Sequence, residues 1–80
     1  MNIAISGLGK AGKALVEYIV EKTDDELVCA ICRDESSSAG LSIAQAIKYP
    51  SKAMHERPVI PVSQAAQHPA MQEADVLIDF

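Results

Sequence analysis

The residues best equipped for chemistry stand near the start of the chain. Gly7-Leu8-Gly9-Lys10-Ala11-Gly12 spells G-x-G-x-x-G. Such a run is a weak signal alone and a stronger one where it follows a strand and opens a helix. The three glycines then do different things. Gly7 makes a tight turn, Gly9 lets the backbone approach a pyrophosphate, and Gly12 lets the helix pack close to the strand. The helix N-terminus adds unpaired N–H groups and partial positive charge, which suit an anion. Lys10 falls in the first helical turn, where a cation opposes the helix dipole. Its presence makes sense beside a bound anion. The chemistry implied for Gly7 to Gly12 is the cradling of a dinucleotide.

A second group of residues bears on which dinucleotide. In an NAD site, an acid about 20 residues beyond the glycines accepts hydrogen bonds from the ribose, whereas an Arg meets the 2′-phosphate of NADP. Here the segment reads Cys32-Arg33-Asp34-Glu35, followed by Ser36, Ser37 and Ser38. Cys32 takes the place where the acid often stands, and Arg33 comes next. Arg and phosphate form a bidentate, charge-assisted pair. The pattern favours NADPH; Asp34, turned toward a ribose, leaves NADH open. Asp79 is a third candidate, because ligands of open parallel sheets bind beyond the carboxyl ends of the strands. It could equally cap the following loop.

Other polar residues read as structural. His55 lies in the charged run Lys52 to Arg57, and His68 precedes a proline. Neither has a Cys, Asp or Ser partner at a useful spacing, so no catalytic or metal-binding residue is expected. Cys29 and Cys32 form a Cys-x-x-Cys inside an apolar run. Side chains three apart on a strand point to opposite faces, which makes them two small core residues.

These groups need elements to hold them. Met1 to Ser6 reads as a strand buried on both faces. A helix follows, with Ala11, Ala14, Leu15, Tyr18 and Ile19 as its inward stripe and Lys13, Glu17 and Glu21 outside. Thr23-Asp24-Asp25 ends it. Glu26 to Cys32 is the second strand, completing a βαβ unit whose right-handed crossover makes the strands parallel. Arg33 to Gly40 is a polar loop. Leu41 to Lys48 fits a short helix with Leu41, Ala44 and Ile47 or Lys48 on one side, stopped before Pro50. Pro58 to Val62 is an edge strand or extended segment, since two prolines exclude a central position. Ser63 is placed to N-cap a brief helix ended before Pro69. Ala74 to Phe80 is a last apolar strand. The fold class is α/β, a Rossmann-like three-layer fold with a mainly parallel sheet of about four strands. Nothing follows the last strand, so a truncated domain of a longer protein is expected.

Composition limits the alternatives. The chain has 80 residues, room for one domain only. It is 49% hydrophobic, with one Phe, two Tyr and no Trp, so the core must be aliphatic. The formal net charge is -4 and the pI about 4.9; the scattered basic residues argue against nucleic acid as a partner. No apolar run approaches the roughly 18 residues of a membrane span. No signal peptide is visible, and a cytoplasmic location is the reading.

Asn2 to Lys13, with its glycine loop, and Ala74 to Phe80 together resemble the N-terminal domain of dihydrodipicolinate reductase, an enzyme family of bacterial lysine and diaminopimelate synthesis. In that family the loop typically reads Gly-Arg/Lys-Met-Gly and the fourth strand ends Val-Ile-Asp-Phe. Ala11 departs from the Met. Cys32 departs from the acid often found there, while Arg33 matches a family habit of contacting the 2′-phosphate. The resemblance implies that Asp79 and Phe80 border the cofactor. It also implies an NADPH-dependent oxidoreductase delivering hydride to a cyclic imine or enamine dicarboxylate. The family's catalytic residues belong to a later domain, so residues 1–80 would supply cofactor binding alone. The complete enzymes are usually tetramers. Two other readings share this opening: a homoserine or aspartate dehydrogenase relative, and a non-catalytic nucleotide-sensing domain.

Overall fold

A computed structural model describes residues 1–79. Four parallel strands form one sheet: β1 (Asn2–Ser6), β2 (Glu26–Cys32), β3 (Val59–Pro61) and β4 (Val76–Asp79), in the order β3-β2-β1-β4. The order reverses at β1. β1 to β2 and β3 runs one way, and β4 returns to the other flank, a switch point of the kind beside which ligands of open parallel sheets bind. Helix α1 (Lys10–Lys22) joins β1 to β2. Between β2 and β3 lie α2 (Ile43–Ile47) and a 3-10 turn (Ala53–Glu56); between β3 and β4 lie α3 (Val62–Ala65) and α4 (Pro69–Gln72).

Alternation along the strands builds two cores. Ile3, Ile5, Leu27, Ala30 and Val59 face α1, α2 and the 3-10 turn, packing with Val16, Ile19, Ile43, Ile47 and Met54. Ala4, Val28, Cys29, Ile31 and Ile60 face the other way, with Ala65, Ala70, Met71 and Ala74 against them. The result is the expected three-layer α/β arrangement. No aromatic side chain and no polar one is buried among the described residues. The strand cysteines separate as their spacing requires: Cys29 is in the second core, Cys32 packs against the first, and both are free thiols.

β1 and β2 pair with a register shift between Ile3 and Ala4, which pair with Leu27 and Cys29. Val28 is the extra residue, a bulge that puts both Val28 and Cys29 on the same core. Asp75 ties β4 to β1: its N–H donates to the Asn2 carbonyl at 2.7 Å, and its carboxylate accepts from the Asn2 N–H at 2.8 Å.

Several sequence expectations need correction. The buried face of α1 is Gly12, Val16 and Ile19, one step around from the expected stripe. Ala11, Ala14 and Tyr18 are exposed, Tyr18 by 58%. Gly12 sets this roll, because only a residue without a side chain fits against the Gly7 carbonyl. Helix α2 starts after Ser42, whose hydroxyl and Gln45 form a capping box. It buries Ile43, Ala44 and Ile47, leaving Leu41 outside. Ser63 is not an N-cap: α3 begins at Val62 behind Pro61. Pro69 does not end a helix but opens α4, where its missing N–H costs nothing. His68 precedes it as the cap, its Nδ1 accepting from Ala70 N–H at 3.1 Å. β4 is partly uncovered at the sheet edge, with Val76 and Leu77 exposed.

Candidate functional site

The carboxyl end of β1 runs straight into the glycine loop. Ser6 is paired with Ile31 on one side and Asp79 on the other, and the Gly7 N–H donates to the Ile31 carbonyl at 2.9 Å. The chain then turns sharply at Gly7, whose φ of 101° is open to glycine and strained for other residues. Gly9 is the N-cap of α1 in an extended conformation, and Lys13 N–H makes the first helical bond to its carbonyl at 2.9 Å. The N–H groups of Lys10, Ala11 and Gly12 therefore precede the helical ladder. No side chain caps them, and no acid stands in the first turn.

A Cβ placed on Gly9 meets no atom within 4 Å, whereas one on Gly12 overlaps the Gly7 carbonyl oxygen. The middle glycine faces open space and the last one is pressed against the turn. That is the division of labour a pyrophosphate site needs: room for the ligand at one position, close helix packing at the other.

In front of the loop lies a cleft of about 830 Å³. Its lining comprises Ser6, Gly7, Leu8, Gly9, Ile31, Cys32 and Val62 together with Ser36 and Ser38, and the exposed Arg33, Glu35 and Ser37 lie at its rim. The Arg33 side chain is 88% exposed, and its nearest acid is Glu35 at 4.0 Å. An exposed pair at that separation contributes little, so the guanidinium keeps its hydrogen-bonding capacity for a ligand. Asp34 points elsewhere; its carboxylate accepts the Ser63 N–H at 2.9 Å.

Of the candidate residues, Gly7, Leu8, Gly9 and Arg33 line the cleft. Lys10, Ala11 and Gly12 form the first turn of α1 behind it. Asp79 is exposed at the end of β4 beside Ser6, and Phe80 lies outside the described residues. Sequence reasoning missed Val62 and Glu35. Both follow the carboxyl end of a parallel strand, and that position alone could have marked them. Cys29 is remote from the cleft. Burial, with a smaller contribution from the Glu73 charge, pushes its thiol up to about 11, and its Sγ lies 3.5 Å from Met71 Sδ. Among the described residues no cluster of His, Cys, Asp and Glu could hold a metal ion, and no helix is long and apolar enough to cross a membrane.

The uncapped amides, the open space at Gly9 and the exposed Arg33 guanidinium fit a dinucleotide. No curated protein and no solved structure matches the chain significantly. A sequence model of the family described as "Dihydrodipicolinate reductase, N-terminus" does match, and it spans residues 1–80. Strand order, glycine turn and whole-chain match agree, and the chain belongs to the dihydrodipicolinate reductase N-terminal domains, a nucleotide-binding family of oxidoreductases.

Proposed function

We propose that this chain is the cofactor-binding part of an NADPH-dependent reductase acting on a cyclic imine or enamine dicarboxylate. The family match supports the reaction class. The observation that carries the cofactor preference is Arg33, an exposed guanidinium on the rim of the cleft with only a 4.0 Å contact to Glu35. Gly7, Leu8 and Gly9 present backbone to the pyrophosphate, and the first amides of α1 donate to it. Arg33 pairs with the adenosine 2′-phosphate, with the Ser36 to Ser38 hydroxyls beside it. Asp79, paired with Ser6 at the carboxyl end of β4, is assigned to the nicotinamide half, as Phe80 is by resemblance. When bound, the reduced nicotinamide supplies the hydride.

Glu35 is the one observation in favour of NADH, since an acid on that rim can accept from ribose hydroxyls. Calorimetric titration with both cofactors decides. Arg33→Ala should weaken NADPH binding by roughly 1.5–3 kcal/mol and leave NADH nearly unchanged. An equal loss for both would overturn the preference.

A further inference from the structure

Asp34 follows the proposed specificity residue directly, yet its side chain turns away from the cleft. Its Oδ1 accepts the Ser63 N–H at 2.9 Å, bridging 29 positions of sequence. Ser63 is in the first turn of α3, a four-residue helix whose N-cap, Pro61, supplies no side-chain bond. Asp34 is the group that satisfies this amide. The bond joins the loop after β2 to the turn after β3. Arg33 and Val62, the neighbours of its two ends, both line the cleft.

We infer that Asp34 is a positioning residue for cofactor selection: by fastening the Arg33 loop to the start of α3, it holds the guanidinium on the cleft rim. This rests on the NADPH reading above. The loop beyond Arg33 has local turns of its own, Ser36 N–H to the Arg33 carbonyl at 3.0 Å and Ser38 N–H to the Ser36 hydroxyl at 3.1 Å. Those bonds shape the loop internally. The far end of the loop is held to β3 by the Gly40 N–H, which donates to the Val59 carbonyl at 3.1 Å; at the Arg33 end, among the described side-chain hydrogen bonds, only that of Asp34 reaches another element. The same contact takes a carboxylate out of the space where a phosphate would sit. Without the bond, Asp34 would stand free beside Arg33, competing for it and repelling the ligand.

Three outcomes separate the possible roles of this side chain in the intact chain, read by titration with NADPH and with NADH. Positioning predicts that Asp34→Ala weakens NADPH about five-fold or more and NADH by less than about two-fold, since a charged hydrogen bond of this kind is worth about 1 kcal/mol or more. Asp34→Asn keeps an oxygen acceptor for the Ser63 amide and should restore NADPH binding to near the native level. If Asp34 instead bonds the ribose, Ala and Asn variants both lose NADH, and the inference fails. If it acts only by charge, both variants gain NADPH affinity, and the inference fails again. Thermal unfolding without nucleotide identifies any variant that is simply misfolded, and the Asn variant then carries the test. Arg33→Ala provides the separate check: should it leave NADPH binding unchanged, the NADPH reading fails, whatever the Asp34 variants do.

Discussion

A methyl group added at Gly12 would overlap the Gly7 carbonyl oxygen, and one added at Gly9 would meet nothing within 4 Å. The two substitutions therefore separate folding from binding. Gly12→Ala should cost roughly 2–3 kcal/mol of stability, because the turn or the helix must shift. Gly9→Ala suits the extended backbone at that position. The small losses and gains of an Ala cap nearly cancel, and stability should hold within about 0.5 kcal/mol. Its methyl group, however, would occupy the space proposed for the pyrophosphate and weaken nucleotide binding by roughly 1–3 kcal/mol. Urea denaturation and calorimetry on both variants check the pair. Equal losses of stability would contradict the geometry.

At the scale of elements, β2 is buried on both faces and carries a titrating group in its middle. Cys29 has its pKa raised from an ordinary 9.0 to about 11, first by burial and then by Glu73. The folded state keeps the proton longer than the unfolded chain does. Stability from this group is complete below about pH 9 and is lost as pH rises toward 11, by about 2–3 kcal/mol in all. Between pH 8 and pH 11 the native chain should lose about 2 kcal/mol more stability than Cys29→Ala, read by denaturation at both pH values. A second element-level test lies at the end of α2, where Lys48 has a φ of 55°. Lys48→Gly should stabilise by about 1 kcal/mol, read from the same denaturation curves. Most elements were legible in the sequence: β1, α1 and β2 from periodicity, β3 from its prolines, and the glycine turn from its spacing. What stayed hidden depends on partners far along the chain. Tyr18, expected inward, is exposed, and Val16 is buried instead, because Gly12, pressed on Gly7, sets the roll of α1. The bulge at Val28 exists only in the pairing with β1. Ser63 has the composition of a cap, but Asp34, remote in sequence, makes the bond.

As a whole molecule, the chain measures 31 × 25 × 22 Å, and a domain of this size buries only about 60% of its unfolded surface. A ligand that binds the folded state alone therefore has a large effect on its stability. NADPH at about 100 times its dissociation constant should add about 2.7 kcal/mol. For a domain of this length that raises the unfolding temperature by roughly 10–20 °C, and scanning fluorimetry reads it directly. No shift with NADPH or NADH would refute nucleotide binding. The reciprocal hydrogen bonds between Asn2 and Asp75 add a kinetic consequence. They join positions near opposite ends of the described chain, so β1 and β4 meet only by closing almost all of it into one loop. Contacts of such separation form slowly, because chain entropy is lost before the pairing returns anything. Sequence separation predicts that the β1–β2 unit assembles first, from nearby segments, and that the seam with β4 closes later, an order that pulsed hydrogen exchange during refolding checks. Ser6 both lines the cleft and pairs with Asp79 in that seam, so the β1 side of the binding site gains its last neighbour only when the seam closes.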